Sequence, residues 1–284
     1  MPAYAVPRLA FALTIAAVAC ARATTATPTA TTTTTATTTS TTVTASTTQP
    51  QTTASASALP AGRAIIDRYV QAIGGRDAVM RHSSIRYLGS FEVPAAGLKG
   101  ALTVVQVSPN KMAMTADLPG MGQMVSGYDG TVGWSINPMQ GPRVLEGKEL
   151  EQLREDAGPS ALLRPADRIR SAQTVELTSM NGKPCYKVKI TSHSGRETFD
   201  CYSTETGLLV GMTGTQESPM GSVSVTTFFD DWKEFGGLKT ATKMRQQMLG
   251  QEQILTIDRL EFDRPEDVKA VEVPEQIKPL VKKP

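Results

Sequence analysis

The sequence predicts a mainly β (α+β) domain in which about 11 antiparallel strands form a strongly curved sheet or barrel with two helical insertions. From residue 85 onward, apolar and polar side chains alternate with a period of two, which is typical of half-buried strands. Pairs such as Asp129-Gly130 and Asn181-Gly182 separate the alternating stretches and mark tight turns. Only two stretches have apolar residues at helical spacing, so few helices are expected.

The two predicted helices are short and lie at residues 61–73 and 147–156. In the first, apolar residues including Ile65 and Tyr69 recur at helical spacing, and the pair Gly74-Gly75 ends it. In the second, Leu150 and Leu153 lie on one face.

The strands fall into two groups. The first group begins with 85–93, where Ile85 and Tyr87 alternate with polar residues, and it continues to residue 136. The second group begins at 172, after the second helix, and continues to 263.

The charge of the predicted domain argues against nucleic acid as a partner. The first 59 residues contain no Asp or Glu and only two basic residues, Arg8 and Arg22. Removing them from the 29 Lys and Arg of the chain leaves 27, which equals the 27 Asp and Glu. A nucleic-acid-binding domain needs an excess of positive charge to replace the counterions of the phosphates.

Residues 1–19 have the features of a secretory signal peptide. Arg8 precedes an apolar run from Leu9 to Ala19 that ends in small residues. The run is shorter than the roughly 18 apolar residues that a membrane-spanning helix needs. We therefore predict export.

Residues Ala17-Val-Ala-Cys20 resemble a bacterial lipobox, in which the cysteine is acylated and becomes the first residue of the mature chain. The residue three positions before the cysteine is usually Leu in a lipobox, whereas here it is Ala17. Cys20 is thus the predicted lipid anchor, and Ala21 in place of an Asp indicates the periplasmic side of the outer membrane. Ordinary cleavage at Ala19-Cys-Ala21 or Ala21-Arg-Ala23 is the alternative, and it would give a soluble periplasmic protein.

Residues 20–60 are predicted to be a disordered tether between the anchor and a folded domain at 61–284. Of the 30 residues from 24 to 53, 19 are Thr and none is charged. Such a tract cannot bury enough apolar surface to offset the entropy of the chain.

A catalytic site is not predicted. The chain has two histidines, His82 and His193, and His193 falls in a predicted hairpin turn. An activated hydroxyl needs a base that an acid orients, and the sequence has no nucleophile-elbow motif. It also lacks the ligand spacing of a metal site and the loop of a phosphate site, so we expect no enzyme activity, metal or cofactor.

Cys185 and Cys201 are predicted to form a disulfide. They lie on the two arms of a hairpin whose turn is near His193, and a turn centred on that residue places them directly opposite each other. Export would bring them into an oxidising compartment. A slightly later turn centre would offset them by one residue, and two separate buried thiols are the alternative.

Three segments together resemble the outer-membrane lipoprotein-sorting protein family, the LolA/LolB-like periplasmic lipoprotein carriers. The segment Gly127–Pro138 resembles the family's DG-x-x-x-W hairpin, and Phe199–Val210 resembles its strand-turn-strand. The segment Asp230–Leu238 is similar to a third motif, although Thr240-Ala241 replaces its usual Pro. The resemblance implies an unclosed β half-barrel whose helices cover an apolar concave face.

The resemblance also implies a function in binding and releasing acyl chains or lipoproteins without covalent chemistry. Eleven of the 12 methionines lie after residue 60, and methionine is favoured where a surface accepts varied apolar ligands. Met112, Met114, Met124 and Trp134 are the predicted lining residues, with simple core packing as the alternative. An envelope-sensing module that binds lipid or protein is the alternative function, and a hydrolase is a more remote one. We expect a monomer.

Overall fold

The computed structural model describes residues 59–218 and 221–281. The predicted signal peptide, the predicted anchor Cys20 and almost all of the predicted tether lie outside the described residues. Among the helices that are described, none has the length and hydropathy needed to cross a membrane.

Within the described residues, thirteen strands form one antiparallel sheet. They are β1 (Ser84–Val93), β2 (Leu98–Val107), β3 (Lys111–Leu118), β4 (Gly122–Tyr128), β5 (Gly133–Asn137), β6 (Gly141–Leu145), β7 (Ile169–Met180), β8 (Lys183–Ser192), β9 (Glu197–Ser203), β10 (Leu209–Ser218), β11 (Gly221–Phe235), β12 (Leu238–Met248) and β13 (Gln251–Phe262). The sequence predicted about 11 strands. No predicted strand covers β6, which has only five residues and contains Pro142, so its alternation is too short to recognise.

The sheet consists of two meanders that meet at β1 and β13. Strands β1 to β6 follow one another outward on one side, and β13 back to β7 follow one another on the other. Ile85 of β1 pairs with Phe262 of β13 at the junction. The outer strands β6 and β7 are the two ends of the strand order, so the curved sheet is unclosed. This confirms the mainly β, half-barrel fold.

The described helices are α1 (Gly62–Ala72), α2 (Gly75–Met80), α3 (Gly147–Asp156) and α4 (Asp267–Ala270), and short 3-10 helices span Pro94–Ala96, Pro159–Leu163 and Lys278–Leu280. The bounds of α1 and α3 agree with the two predicted helices to within one residue. Both lie on one side of the sheet, which we call the helix face. This face carries Tyr87, Met112 and Val188, and the other side is called the opposite face.

The approach of α1 to β7 depends on a residue without a side chain. A Cβ atom at Gly62 would lie 2.6 Å from the carbonyl oxygen of Ala172, so a larger residue would push the helix off the strand. The Oγ1 atom of Thr174 also donates to the carbonyl of Pro60 at the start of the helix. Ile65, Ile66 and Tyr69 then fill the space between the helix and the sheet.

The position of α3 shows how strongly the sheet curves. The helix contacts β4 and β5 in one meander and β10 in the other, although these strands are far apart in the strand order. It belongs to the chain segment that joins β6 to β7, which must cross from one open edge of the sheet to the other. The crossing segment therefore covers the helix face.

The C-terminal segment covers part of the opposite face. Asp267 is fully buried and accepts hydrogen bonds from Ser84 Oγ at 2.6 Å and from Arg86 Nε at 2.8 Å. Val271 follows and packs with Val105 and Ala113. The Arg86 guanidinium contacts Oδ1 and the Ser84 hydroxyl contacts Oδ2, so both oxygens of a carboxylate that would be costly to bury alone have partners.

Cys185 and Cys201 are close together, as predicted, on the opposite face of β8 and β9. Their Cα atoms are 5.4 Å apart, a distance that suits a disulfide. The predicted register is wrong, because Cys201 pairs with Lys187 and Cys185 pairs with Ser203. The turn is centred on Ser194, since Thr191 pairs with Glu197, and the two cysteines are diagonal neighbours. The covalent bond stays a prediction that non-reducing peptide mapping checks.

Candidate functional site

The helix face of β1 to β6 carries three of the four residues predicted to line a ligand cavity. Met112 and Met114 lie two residues apart on β3 and are buried. Met124 on β4 pairs with Ala116 on β3, so it projects to the same side, and it is half-buried. We call Met112, Met114 and Met124 the methionine patch.

Apolar side chains of the neighbouring strands extend the methionine patch. Val104 pairs with Met114, and Tyr87 on β1 pairs with Val104. Burial raises the pKa of Tyr87 well above its usual value, and the nearby Tyr69 raises it further. The phenol is therefore neutral at physiological pH, and this part of the helix face offers no charge to a ligand.

Trp134 lies on the opposite face and does not join the methionine patch. It pairs with Gly127, which pairs with Ala113, a residue between Met112 and Met114 that faces the other way. A Cβ atom at Gly127 would lie 2.4 Å from Trp134 Cζ2, so the indole ring needs a glycine on the neighbouring strand. The structure thus separates Trp134 from the three methionines, because successive strand residues face opposite sides.

The helix face of the second meander contains a line of buried and mostly polar side chains among apolar ones. Gln253 on β13 pairs with Gln246 on β12, and Gln246 pairs with Thr227 on β11. Met212 on β10 continues this line to Asp200 on β9. All five side chains are buried, and we call them the polar row. Within the described residues, Gln246 Oε1 has no hydrogen-bond partner, whereas its Nε2 atom donates to Thr227 Oγ1 at 3.5 Å.

Asp200 is the end of the polar row and the centre of a buried cluster. It is 0% exposed and forms an ion pair with Arg164, which is 3% exposed and belongs to the crossing segment. The hydroxyl groups of Thr198 and Tyr202 donate to it at 3.1 and 2.9 Å. The Tyr202 ring in turn lies 5.4 Å from that of Tyr69 on α1. The cluster therefore fixes α1 and the crossing segment to β9.

A groove of about 590 Å³ lies beside α3, and we call it the α3 groove. Its walls come from α3, the β8–β9 turn, β9, β10 and β11, and its lining includes Lys148, Gln152, Arg196, Thr213 and Glu217. None of the four predicted lining residues borders it. These groove residues come from separate elements and are hydrophilic, so the sequence alone gave no signal that they form a site.

His82 lies at the junction of the two meanders. Its Nδ1 atom is 2.8 Å from Asp263 Oδ2, and its ring stacks on Phe262 with 4.1 Å between centroids. Desolvation by burial would raise the pKa of Asp263, but hydrogen bonds from His82, Ser83 and Ser84 lower it to about 2. The Ser83 hydroxyl donates to Asp263 at 2.8 Å and not to the imidazole, so this trio is not a nucleophile with its base.

His193, like His82, is not paired with a serine that it could activate. Its Nε2 atom lies 3.4 Å from the carbonyl oxygen of Ala166, and the neighbouring Ser194 donates its hydroxyl hydrogen to Glu155 at 2.6 Å. Neither histidine activates a serine in this arrangement. Within residues 59–218 and 221–281, no group of three or more His, Cys, Asp or Glu side chains is arranged to hold a metal ion.

No family model matches this chain, and no curated protein matches it in sequence. Among solved structures, it is similar to a DUF1329 family protein from Desulfovibrio piger, with a TM-score of 0.51, 14% identity, and 73% of this chain and 95% of that chain covered. A LolA superfamily protein from Nitrosomonas europaea has a TM-score of 0.48 at 11% identity, with 77% and 97% covered.

A domain described as an outer membrane lipoprotein-sorting protein, from Vibrio parahaemolyticus, has a TM-score of 0.44 at 11% identity, with 66% of this chain and 89% of that chain covered. The similarity to the DUF1329 family protein, at a TM-score of 0.51, agrees with the mainly β fold.

Proposed function

We propose that this chain is a non-enzymatic binding protein of the bacterial cell envelope that holds acyl chains or lipoproteins at the methionine patch. The observation that carries the proposal is that Met112, Met114 and Met124 share one face with apolar neighbours such as Val104 and Ala116. Binding and release then need burial of apolar surface and no covalent step.

The physical properties of methionine suit this role. Its side chain is unbranched and polarizable, so it adapts to chains of different shape at low cost. Met124 is half-buried and gives access from the surface, whereas Met112 and Met114 are buried and must rearrange to admit a ligand. Trp134 takes no part, because it lies on the opposite face.

We further propose that residues 1–19 direct export and that acylated Cys20 anchors residues 61–284 to the outer membrane through the Thr-rich tether. One acyl chain gives only weak membrane binding, so a stable anchor needs more than one. The intact mass of membrane-extracted protein measures the modification, and Cys20→Ala is expected to release the chain in soluble form. A soluble periplasmic protein is the alternative.

The alternative function is an envelope-sensing module that binds the same kind of ligand as a signal. A carrier moves its ligand between two membranes, and a sensor does not, so a transfer assay between labelled donor and acceptor vesicles separates them. The hydrolase alternative has no supporting feature at His82 or His193, where the serine hydroxyls donate to carboxylates.

The test of the proposal is binding of the fluorescent fatty acid cis-parinaric acid to the purified, delipidated full chain. Met124→Lys puts a charge on the patch at a half-buried position that tolerates change, and we expect it to weaken binding at least tenfold. Met139→Lys is the matched control, because Met139 is 63% exposed in the turn between β5 and β6. Equal binding by the two variants, or no binding by the folded native chain, would overturn the proposal.

A further inference from the structure

Three arginine side chains line a second, smaller cavity of about 40 Å³, which we call the arginine cavity. Arg164 and Arg168 belong to the crossing segment, and Arg196 lies in the turn between β8 and β9. Glu155 and Asp156, at the end of α3, also line it. The cavity therefore lies where the crossing segment meets the sheet.

Arg164 has a buried hydrogen-bond donor that the protein does not use. Its side chain is 3% exposed, and its φ of 48° lies in the left-handed region that few residues other than glycine adopt. The carbonyl oxygen of Arg164 accepts from Arg63 of α1 at 2.8 Å, which helps to hold this backbone. Nη2 is in the ion pair with Asp200, whereas Nη1 has no hydrogen-bond partner among the described residues. A buried donor of this kind is costly unless an acceptor reaches it.

Arg196 has a second donor of the same kind. Its Nη1 atom donates to both carboxylate oxygens of Asp156, at 3.2 and 3.1 Å. Its Nε atom is buried and has no partner within the part of the chain that the structure describes. Arg168 differs, because it donates to two backbone carbonyls and to the Ser160 hydroxyl. Arg164 and Arg196 thus bring the two unused N–H groups to this cavity.

The carboxylates around the arginine cavity already have donors. Glu155 accepts from the Ser194 hydroxyl at 2.6 Å, and Asp156 accepts from Arg196. Asp200 accepts from two hydroxyl groups besides its ion pair with Arg164. The hydrogen-bonding capacity left at the cavity is therefore that of N–H donors on cations.

The pKa of Arg168 points to the same shortage of negative charge. Burial lowers it, and the nearby acidic groups, first Asp167 and then Asp156 and Glu155, raise it by less. The carboxylates thus compensate only in part for the hydration that this guanidinium loses.

From these contacts we propose that the arginine cavity binds a small monovalent anion of the size of chloride or formate. The anion accepts hydrogen bonds from Nη1 of Arg164 and from Nε of Arg196. Such an ion has acceptor sites and no N–H or O–H group, so it matches a site where donors are in excess. A water molecule fits less well, because its two hydrogens would need acceptors that are already occupied.

The size of the arginine cavity selects small anions. One water molecule needs about 10–15 Å³ of such space, so about 40 Å³ has room for roughly three groups of that size. A halide or a formate ion fits this volume. Gluconate carries the same charge but is several times larger, so we expect it to be excluded.

The anion would join two parts of the fold that are distant in sequence. Arg164 lies in the crossing segment, which covers the helix face, and Arg196 lies in the β8–β9 turn. A ligand held by both arginines therefore stabilises the cover on the sheet. The inference is independent of acyl-chain binding, because no residue of the methionine patch lines the cavity.

The experiment measures anion binding to the purified full chain at constant ionic strength. Sodium gluconate is replaced stepwise by sodium chloride or sodium formate, and the melting temperature is recorded at each step. We expect the melting temperature to rise and then level off with chloride and with formate, because a ligand that binds only the folded state stabilises it by mass action. The chloride NMR line should broaden with the folded chain and narrow again when formate competes.

Conservative variants connect the binding to the two arginines. Arg164→Lys and Arg196→Lys keep the positive charge of each ion pair, but the single lysine nitrogen is taken by the carboxylate partner. We expect each variant to bind chloride about tenfold more weakly, as for the loss of a hydrogen bond to a charged group. Arg259→Lys is the matched control, because its side chain is 67% exposed and does not line the cavity.

Three results would overturn the inference. One is a chloride line that the folded native chain does not broaden, which would mean that water alone occupies the cavity. Another is equal stabilisation by gluconate and chloride, since this would show an effect of salt and not of a site. The third is equal chloride affinity of Arg196→Lys and Arg259→Lys, a comparison that decides the question even if Arg164→Lys does not fold.

Discussion

The two meanders of the sheet have the same antiparallel topology but bury different side chains on the helix face. The first, β1 to β6, buries the methionine patch with Val104 and Ala116. The second, β7 to β13, buries the polar row and the ion pair of Asp200 with Arg164. The methionine patch and the polar row therefore lie on the same face of one curved sheet, in different meanders.

The methionine patch and the polar row differ in how easily their side chains can rearrange around a ligand. Apolar contacts have no preferred direction, so the methionine patch can rearrange around a ligand with little loss. Buried polar groups need partners in fixed positions, and Asp200 has them in Arg164, Thr198 and Tyr202. We therefore expect the second meander to be the rigid frame that holds α1 and the crossing segment in place.

The largest expected effect on stability comes from removing the buried ion pair between Asp200 and Arg164. Asp200→Ala leaves the Arg164 charge buried without its carboxylate, and we expect a loss of about 3–5 kcal/mol in the free energy of unfolding, measured by urea denaturation. Glu176→Ala in the same meander is the control, since its pair with Lys187 is exposed and should be worth less than about 1 kcal/mol. Similar losses in both variants would contradict the role assigned to Asp200.

A second test replaces an apolar side chain by an amide in the first meander and an amide by an apolar side chain in the second. Leu102→Gln puts an amide at a buried apolar position of the first meander, where the cross-strand neighbours Gly89 and Ala116 offer it no side-chain partner. We expect this change to cost about 2–3 kcal/mol of unfolding free energy. Gln246→Met removes an amide whose Oε1 atom is unpaired, and we expect a change of less than about 1.5 kcal/mol.

Urea denaturation of Leu102→Gln and Gln246→Met measures both changes in the free energy of unfolding. If Gln246→Met were the more destabilising of the two, the polar row would depend on hydrogen bonds beyond the one to Thr227, and the comparison would need revision.

The smallest expected effect on stability comes from the ionisation of Asp263, at the junction of the two meanders. The pKa of Asp263 is lowered to about 2 in the folded chain, against about 3.9 for an unfolded Asp. The unfolded state therefore binds more protons between these values, so the Asp263 contribution is present above about pH 4 and is lost as the pH falls towards 2. The side chain of Asp263 is 45% exposed, which limits the size of the effect.

The measurement at the junction is the melting temperature of the native chain and of Asp263→Asn from pH 6 to pH 2. We expect the native chain to be more stable at pH 6 and the two curves to converge as the pH approaches 2. A difference that stays constant over this range would show that ionisation of Asp263 does not stabilise the junction.

Local patterns in the sequence predicted much of the fold. The alternation of apolar and polar residues located most of the strands, and the helical spacing located α1 and α3 to within a residue. The Asp129-Gly130 turn was also predicted, and Asp129 Oδ1 indeed accepts from the N–H groups of Thr131 and Val132. Such features depend on neighbours within a few residues, so one sequence is enough to recognise them.

The candidate site was predictable only in part. The period of two correctly put Met112 and Met114 on one face, but it could not relate Trp134 to them, because that requires the register between β4 and β5. The hairpin of Cys185 and Cys201 was predicted with its turn one residue too early, and the shift moved them from direct to diagonal neighbours.

The sequence by itself determined the class of fold, the positions of most elements and the closeness of the two cysteines. Only the tertiary structure decided that Arg164 meets Asp200 and that Gln152 bonds to the backbone of β10. The physical reason is that these contacts join residues far apart in the chain, and they depend on how the sheet curves. Strand register and curvature are set by the packing of the whole domain, which no local pattern records.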